Sequence, residues 1–222
     1  MLAYIYWTKA QLTSDVRFSL IWFRYSIFFE KGGKNMVDKI VKETTDAIVA
    51  AIQGADNVIS ALRTAIKNQF VGTVKDIGDI STATLDEVSA IAAGAIKGAH
   101  QVGTSILDVA GGTVNAAVHS VSEIGGNVIA AAQKATVGVI QGASAIGADL
   151  GSTAVAAVEG AIKAAGEIGA DTAEAASSAV QGAVKAANQI GSEAGSAVKK
   201  ALLSAASLPK DVVEKAIKGS SK

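Results

Sequence analysis

The sequence predicts an all-α protein, and three observations lead to that fold class. An acidic, amide or small residue followed by Ile or Val and then Gly recurs every 22 residues, five times from Gln101 to Gly191. Within each repeat, apolar residues return with the spacing of a helix rather than the alternation of a strand. A single proline, Pro209, interrupts the chain. Self-similarity at a fixed period indicates a repeat architecture, so the repeat is considered before individual residues.

The length of the repeat favours an amphipathic helix. Twenty-two is two elevens, and eleven residues make about three helical turns at about 3.67 residues per turn. In the repeat that begins at Ala145, this spacing places ten residues in one sector about 130° wide. These residues are all apolar or glycine: Ile146, Gly147, Leu150, Gly151, Ala154, Ala157, Val158, Ala161, Ile162 and Ala165. The opposite side carries Asp149, Ser152, Glu159 and Lys163. We therefore expect either one long hendecad-repeat helix or helical hairpins packed as a bundle.

Glycine is expected to divide and weaken these helices. A continuous helix over the repeats would be about 250 Å long, and we expect joints at Gly111-Gly112 and Gly125-Gly126. Of the 23 glycines, 21 follow Met36, and each costs up to about 1 kcal/mol relative to Ala inside a helix. The chain is therefore expected to be disordered in part when isolated and helical when its apolar face is covered.

The chain is expected to consist of three segments. Residues 1–35 hold nine of the ten aromatic residues and lack the repeat. The codons of Lys31-Gly32-Gly33 can spell a prokaryotic ribosome-binding site, so we interpret this segment as a translated upstream leader with the true start at Met36. The alternative is a short apolar N-terminal segment, since Phe18–Phe29 is too short to span a bilayer. The helical repeats occupy residues 36–206, and a short C-terminal helix and tail occupy residues 207–222.

Composition argues against several classes of function. After the leader, 15 basic and 18 acidic residues leave a net charge of −3, whereas nucleic-acid binding calls for a basic stripe. The chain has no cysteine, and its two histidines, His100 and His119, have no evident metal-binding or catalytic partners. We find no candidate catalytic, cofactor-binding or metal-binding residue. We expect a protein that is not an enzyme and that uses no cofactor, small-molecule substrate or nucleic acid.

The apolar sector is the predicted contact surface. Its larger residues form the expected surface-binding face: Val102, Ile124, Val128, Ile146, Leu150, Val158, Ile162, Ile168, Val180, Val184 and Ile190. A second periodic set consists of glycines that would allow a helix or a flat surface to approach closely: Gly72, Gly94, Gly138, Gly160 and Gly182. Ala116 replaces glycine at the one intervening position. Because small side chains bury little area, each repeat is expected to add a small increment of affinity.

The hendecad spacing and the small residues, as in Glu167-Ile168-Gly169-Ala170-Asp171-Thr172-Ala173-Glu174, resemble those of a known class of proteins. At the level of pattern, residues 37–206 look like the 11- and 22-residue amphipathic repeat proteins that coat lipid or polyester surfaces. These are the synucleins, the exchangeable apolipoproteins, the perilipins and, by role, the phasins. The resemblance implies a coat or scaffold on a weakly charged hydrophobic interface, such as a membrane, a lipid droplet or a polyester inclusion. We also expect a cytoplasmic location, peripheral to that surface, and the possible ribosome-binding site before Met36 indicates a prokaryotic cell.

A second function remains open from the sequence. Small-residue faces also pack tightly against one another, so the chain could be a self-assembling structural protein that forms a helical bundle or filament. In that case its partner would be itself, as a homo-oligomer. Long alanine-rich repeats leave ice binding as a minor alternative.

Overall fold

The computed structural model describes residues 37–50, 60–61, 64–69 and 82–219. The chain divides into two compact units, Met1–Lys39 and Ile40–Lys222. Of the first unit only residues 37–39 are described, and they are helical. The predicted leader over residues 1–35 and the predicted start at Met36 lie outside the described residues.

The second unit confirms the predicted all-α fold, since every regular element over its described residues is a helix. Residues 40–50, 60–61 and 64–69 are helical. Seven further helices follow along the chain: α1 (Thr82–Gln101), α2 (Ile106–Glu123), α3 (Val128–Ala145), α4 (Leu150–Glu167), α5 (Thr172–Ile190), α6 (Ser192–Ser204) and α7 (Lys210–Gly219).

Each full repeat forms one helix and one loop. Helices α2, α3 and α4 have 18 residues each, and four residues separate each from the next helix. The expected joint at Gly125-Gly126 is present, because these glycines lie in the loop between α2 and α3. The expected joint at Gly111-Gly112 is wrong. Both glycines lie inside α2, where Gly111 contacts the neighbouring helix α4 instead of ending its own helix.

The helices stack in two layers. Helices α1 to α5 each pack most extensively on a helix two places away, so α1, α3 and α5 form one layer and α2 and α4 form the other. Contacts of α5 with α7 and of α4 with α6 extend the two layers. Short loops make consecutive helices antiparallel, and next-but-one helices are therefore parallel. The contacts between α1 and α3 agree with this parallel arrangement. Gly138 faces Ser89, and Gly142, one turn later, faces Ala93, one turn after Ser89.

The core lies between and within these layers and consists mainly of Ala and Val. Of the predicted apolar sector, Ala154, Ala157, Val158, Ala161 and Ala165 are buried in α4, whereas Gly147, in the loop before it, is exposed. On the opposite side, Asp149, Ser152, Glu159 and Lys163 are all exposed. Since alanine has so short a side chain, the backbones of neighbouring helices can approach closely throughout the stack.

The C-terminal end of the stack departs from the repeat. Helices α6 and α7 have 13 and 10 residues, and α7 begins directly after Pro209, as proline's fixed backbone angle favours. Helix α7 buries Val213 and Ala216. Its other side is polar and exposed: Lys210, Asp211, Glu214, Lys215 and Lys218.

Candidate functional site

The recurring Ile/Val-Gly signature forms the loops of the stack. Gly103, Gly125, Gly147 and Gly169 all adopt φ values between 70° and 72°, a left-handed conformation that only glycine adopts at little cost. Around Gly125, its own N–H donates to the Ser122 carbonyl and the next N–H donates to the Val121 carbonyl. This pair of bonds is the Schellman arrangement that ends a helix, and it recurs in all four loops.

The residue two positions after each loop glycine is the N-cap of the next helix. Ser105, Asn127, Asp149 and Asp171 each accept a hydrogen bond from a backbone N–H in the first turn that follows. These side chains cap the otherwise unpaired N–H groups of a helix start. The capping residues recur with the repeat, so their signal is present in the sequence, although they are not among the predicted site residues. Together, these capping residues and the loop glycines set where each of the helices α2, α3 and α4 begins and ends.

The periodic glycines are the points at which parallel helices touch. A Cβ atom on Gly160 would lie 2.8 Å from the Gly111 Cα, and one on Gly182 would lie 2.5 Å from the Gln133 carbonyl oxygen. Gly138 meets Ser89 in the same way, and all three partners precede their glycine by the same sequence separation. Gly94 contacts Thr44 and the Val41 carbonyl, whereas Gly72 lies outside the described residues. A side chain at these positions would force two backbones apart.

The expected surface-binding residues divide into three groups in the structure. Val158, Val180 and Val184 are buried in the core. Seven are half-buried: Val102, Ile124, Val128, Ile146, Leu150, Ile162 and Ile168. Ile190, at the end of α5, is 42% exposed. In this conformation other helices of the same chain cover most of the predicted face, so no continuous apolar face points outward along the helices that the structure describes.

Polar side chains bridge parallel helices at two registers. Lys134 of α3 forms an ion pair with Asp86 of α1, and Ser89 lies 3.4 Å from Gln141. In the other layer, the Glu167 carboxylate of α4 accepts a hydrogen bond from the Asn115 amide at 3.0 Å. It also lies 2.7 Å from the His119 Nε2. The sequence separation within each pair is either 48 or 52, which is two repeats plus one or two helical turns.

His119 and Glu167 therefore help to hold α2 and α4 together, a structural role that the sequence did not reveal. The hydrogen bond from Asn115, together with that from His119, lowers the pKa of Glu167 from its ordinary value. By contrast, His100 is exposed at the end of α1. Burial, with the nearby Asp86 carboxylate, raises the pKa of Glu87, whose Oε2 atom is buried without a hydrogen-bond partner.

A groove lies between α3, α5 and the end of α7. It encloses about 480 Å³ and is lined by Gln133 of α3, Gly219 of α7 and four side chains of α5. These four are Gln181, Lys185, Asn188 and Gln189. Gln133 and Gln181 have the same sequence separation as Asp86 and Lys134, yet the described structure contains no hydrogen bond between them. The Gln133 and Gln181 side chains are therefore partly exposed in the groove.

Other kinds of site are not found in the part of the chain that the structure describes. No group of three or more His, Cys, Asp or Glu residues is placed to hold a metal ion over residues 37–219, apart from the undescribed gaps. Among the helices described, none combines the length and apolar character that crossing a membrane requires.

Comparisons with known proteins bring no relative to this chain. No protein-family model, curated protein or solved structure matches it.

Proposed function

We propose that this protein is a non-enzymatic structural scaffold whose working form is the closed helical stack. Its apolar faces find their partners inside one chain, so the stack presents polar helix surfaces to its surroundings. This proposal takes up the structural-bundle alternative, with the difference that the small-residue faces pack within a single chain rather than between copies.

The observation that carries the proposal is the position of the periodic glycines. Gly138, Gly160 and Gly182 each meet the backbone of a helix two places earlier, at the same register. A fluid apolar surface offers no fixed backbone atom and sets no such register, so it would not require glycine at the same position of each repeat. Close packing of helices does require it, because an added Cβ would collide with backbone atoms. The sequence is thus suited to contact with itself.

The polar C-terminal helix favours a stack of finite length over a filament. Helix α7 places Val213 and Ala216 against the stack and turns Lys210, Glu214 and Lys218 outward. Repeat proteins commonly end in such a helix, since a polar outer face prevents further units from adding. We therefore expect the scaffold to act as a discrete body at this end.

Circular dichroism and sedimentation of the full chain test the proposal. We expect strong helicity without lipid, at all protein concentrations, and no gain when neutral or anionic vesicles are added. Heating should remove this helicity, because most of the stability of a helix in a protein comes from tertiary packing. Helix that forms only on vesicles would overturn the proposal.

A second candidate function is the coat on a hydrophobic interface, with the stack opening at its loops. It is favoured by one observation: each amphipathic helix from α1 to α4 is joined to the next by a four-residue loop that contains a left-handed glycine. Such a stack could unfold onto an apolar surface without melting its helices. Opening would exchange helix–helix contacts for contacts with the surface.

An engineered disulfide separates the two candidates. The chain has no native cysteine, and a Cβ on Gly151 would lie 2.9 Å from the Ala201 Cβ. These atoms need to separate by only about 1 Å for a disulfide between α4 and α6. If the coat function is correct, oxidised Gly151→Cys/Ala201→Cys protein should lose vesicle binding and regain it on reduction. The scaffold function predicts no vesicle binding in either state.

A further inference from the structure

The junction between α5 and α6 differs from the four junctions that precede it from α1 onward. Each of those is a four-residue loop with a left-handed glycine and a side chain that caps the next helix. Between α5 and α6 only Gly191 stands outside a helix, its backbone is extended at φ 165°, and no side chain caps α6. Both signals that separate consecutive helices elsewhere in the stack are therefore missing at this junction.

Gly191 already makes the backbone hydrogen bonds of a helical residue. Its N–H donates to the Ala187 carbonyl at 3.1 Å, and its carbonyl accepts from the Gly195 N–H at 3.0 Å. Both bonds span four residues, as in an α-helix. In the described structure, the N–H groups of residues 192–194, which lie between these two bonds, have no backbone partner. Rotation at Gly191 would join α5 and α6 into one helix over residues 172–204, and it would pair these N–H groups with the carbonyls of residues 188–190.

In the closed chain, α6 folds back on α5. A Cβ on Gly195 would lie 3.5 Å from the Asn188 Cα, although residues seven apart in a straight helix are about 10 Å apart along its axis. Straightening would therefore carry α6 and α7 away from their own chain. It would uncover Val198, Leu202 and Val213, which are at most 1% exposed in the closed stack. Since exposing apolar side chains is costly, the displaced helices need another surface that fits them.

A second copy of the same chain has that surface. Helix α6 packs on α4 and α5, and α7 packs mainly on α5, so a copy whose own α6 and α7 have swung out leaves the matching site uncovered. The two straightened helices would lie antiparallel, and α5 of one copy would meet α6 of the other as it met its own. This exchange is closed and two-fold symmetric. Ile190, which is 42% exposed in the closed chain, lies one residue from its centre.

We propose that α6 and α7 form an exchangeable arm, hinged at Gly191, through which two copies of this chain join in a symmetric dimer. Each arm occupies the site on α4 and α5 that the arm of the other copy has left. Because the arm makes the same contacts in both forms, the balance between monomer and dimer depends on the hinge and on protein concentration. The exchange rests on the stack itself and holds equally for a scaffold and for a coat.

Two substitutions at the hinge should shift this balance in opposite directions. Gly191→Ala favours the straight helix, because alanine is the better helix former, and no atom lies within 4 Å of a Cβ at this position in the closed form. Each hinge should favour the helix about fivefold more, so the dissociation constant of the dimer, which has two hinges, should fall about 25-fold. Glu193→Asp places a capping residue 22 residues after Asp171, and it should raise the dissociation constant by a similar factor. Sedimentation of each full chain, refolded from urea at several concentrations, measures both shifts.

A disulfide distinguishes arm exchange from any other dimer. Gly151 of α4 and Ala201 of α6 are in contact, so Gly151→Cys/Ala201→Cys would link them within one chain in the closed form and between two chains in the exchanged form. Monomer and dimer are separated by gel filtration and then oxidised. On a non-reducing denaturing gel we expect a covalent dimer from the dimer fraction and single chains from the monomer fraction. The control Ala201→Cys alone should give no covalent dimer, because its partner position carries no thiol.

Three results would overturn the exchange. The first is a Gly191→Ala chain that stays monomeric at every concentration. The second is an oxidised dimer that separates into single chains on the gel, because its copies would then meet through another surface. The third is an equal response to Gly191→Ala and Glu193→Asp, because the hinge would not control association. Circular dichroism checks that each variant remains folded, and the gel test with Gly191 retained does not depend on a hinge substitution.

Discussion

Two glycines of α4 should respond in opposite directions to the same substitution. Gly160 is buried, and a Cβ there would lie 2.8 Å from both the Gly111 Cα and the Gly111 carbonyl carbon of α2. Gly166 is exposed in the last turn, and the nearest atom to a Cβ there would be the Thr172 methyl at 3.7 Å. Replacement by Ala should therefore destabilise the stack at Gly160 and stabilise it at Gly166.

The magnitudes follow from two opposing effects. Alanine in place of glycine inside a helix gains about 1 kcal/mol by restricting the unfolded chain and improving helix propensity. At Gly160 the backbone of α2 must also move away, since backbone atoms cannot rotate aside, and overpacking of this kind costs about 3 kcal/mol. The net loss is about 2 kcal/mol, which lowers Tm by about 4–8 °C in a domain of this size. At Gly166, near the helix end, we expect a gain of about 0.5 kcal/mol.

Urea unfolding followed by circular dichroism measures both free energies of unfolding. Because the two variants differ from the parent by the same methyl group in the same helix, propensity alone would stabilise both. Equal stabilisation of Gly160→Ala and Gly166→Ala would mean that α2 and α4 do not approach at Gly160. The two-layer stack would then be refuted at its central contact.

Three further predictions address the capping residues, the loops and the acidic bridge. Asp171→Ala should reduce the free energy of unfolding by about 1 kcal/mol, because Asp171 accepts hydrogen bonds from two backbone N–H groups of α5. The control Glu193→Ala should change the free energy of unfolding by less than about 0.5 kcal/mol. Thermal melts of the two variants and the parent compare these effects. Gly147→Ala should destabilise the folded protein by about 1 kcal/mol, because Gly147 has a left-handed conformation that alanine adopts only at a cost. Steric contact adds nothing, since no atom lies within 4 Å of a Cβ at this position. Urea unfolding measures the loss, and an unchanged unfolding midpoint would contradict the loop geometry. The pKa of Glu167 is lowered from its ordinary value of 4.5 in the folded state, so its bridge stabilises the protein above about pH 4.5 and is lost as pH falls through the lower folded pKa. Melting of the parent and of Glu167→Gln from pH 7 to pH 3 should show a stability difference that shrinks with acid.

The sequence contained enough information for the amphipathic sectors. Eighteen residues make five helical turns, so the spacing argument assigns the correct azimuth within any one helix. This is why the sector assigned to α4 contains Ala154, Val158 and Ala161, all of which are buried. The argument fails across a loop, where the helical azimuth starts again. The hendecad pattern therefore identified which residues face inward but not how many helices carry them.

The wrong joint at Gly111-Gly112 has a specific physical cause. A glycine can end a helix by adopting a left-handed conformation, or it can remain helical and admit a neighbouring backbone. The local sequence does not separate these two uses. For Gly111 the decision depends on Ala156 and Gly160, which meet it from α4, two helices further along the chain and far outside any local window. Gly125, in contrast, adopts the left-handed conformation and is followed two residues later by Asn127, which caps α3.

The same combination explains where the array ends. The fifth signature, Gln189-Ile190-Gly191, is followed at the capping position by Glu193, whose longer side chain is a poor helix cap. There the four-residue loop is absent: Gly191 is extended at φ 165°, and α6 starts directly at Ser192 without a side-chain cap. Ile190, which the loop would have partly covered, becomes exposed. One residue at the capping position thus separates a chain that continues its repeat from one that closes it, and the amide-lined groove lies beside the point where the repeat stops.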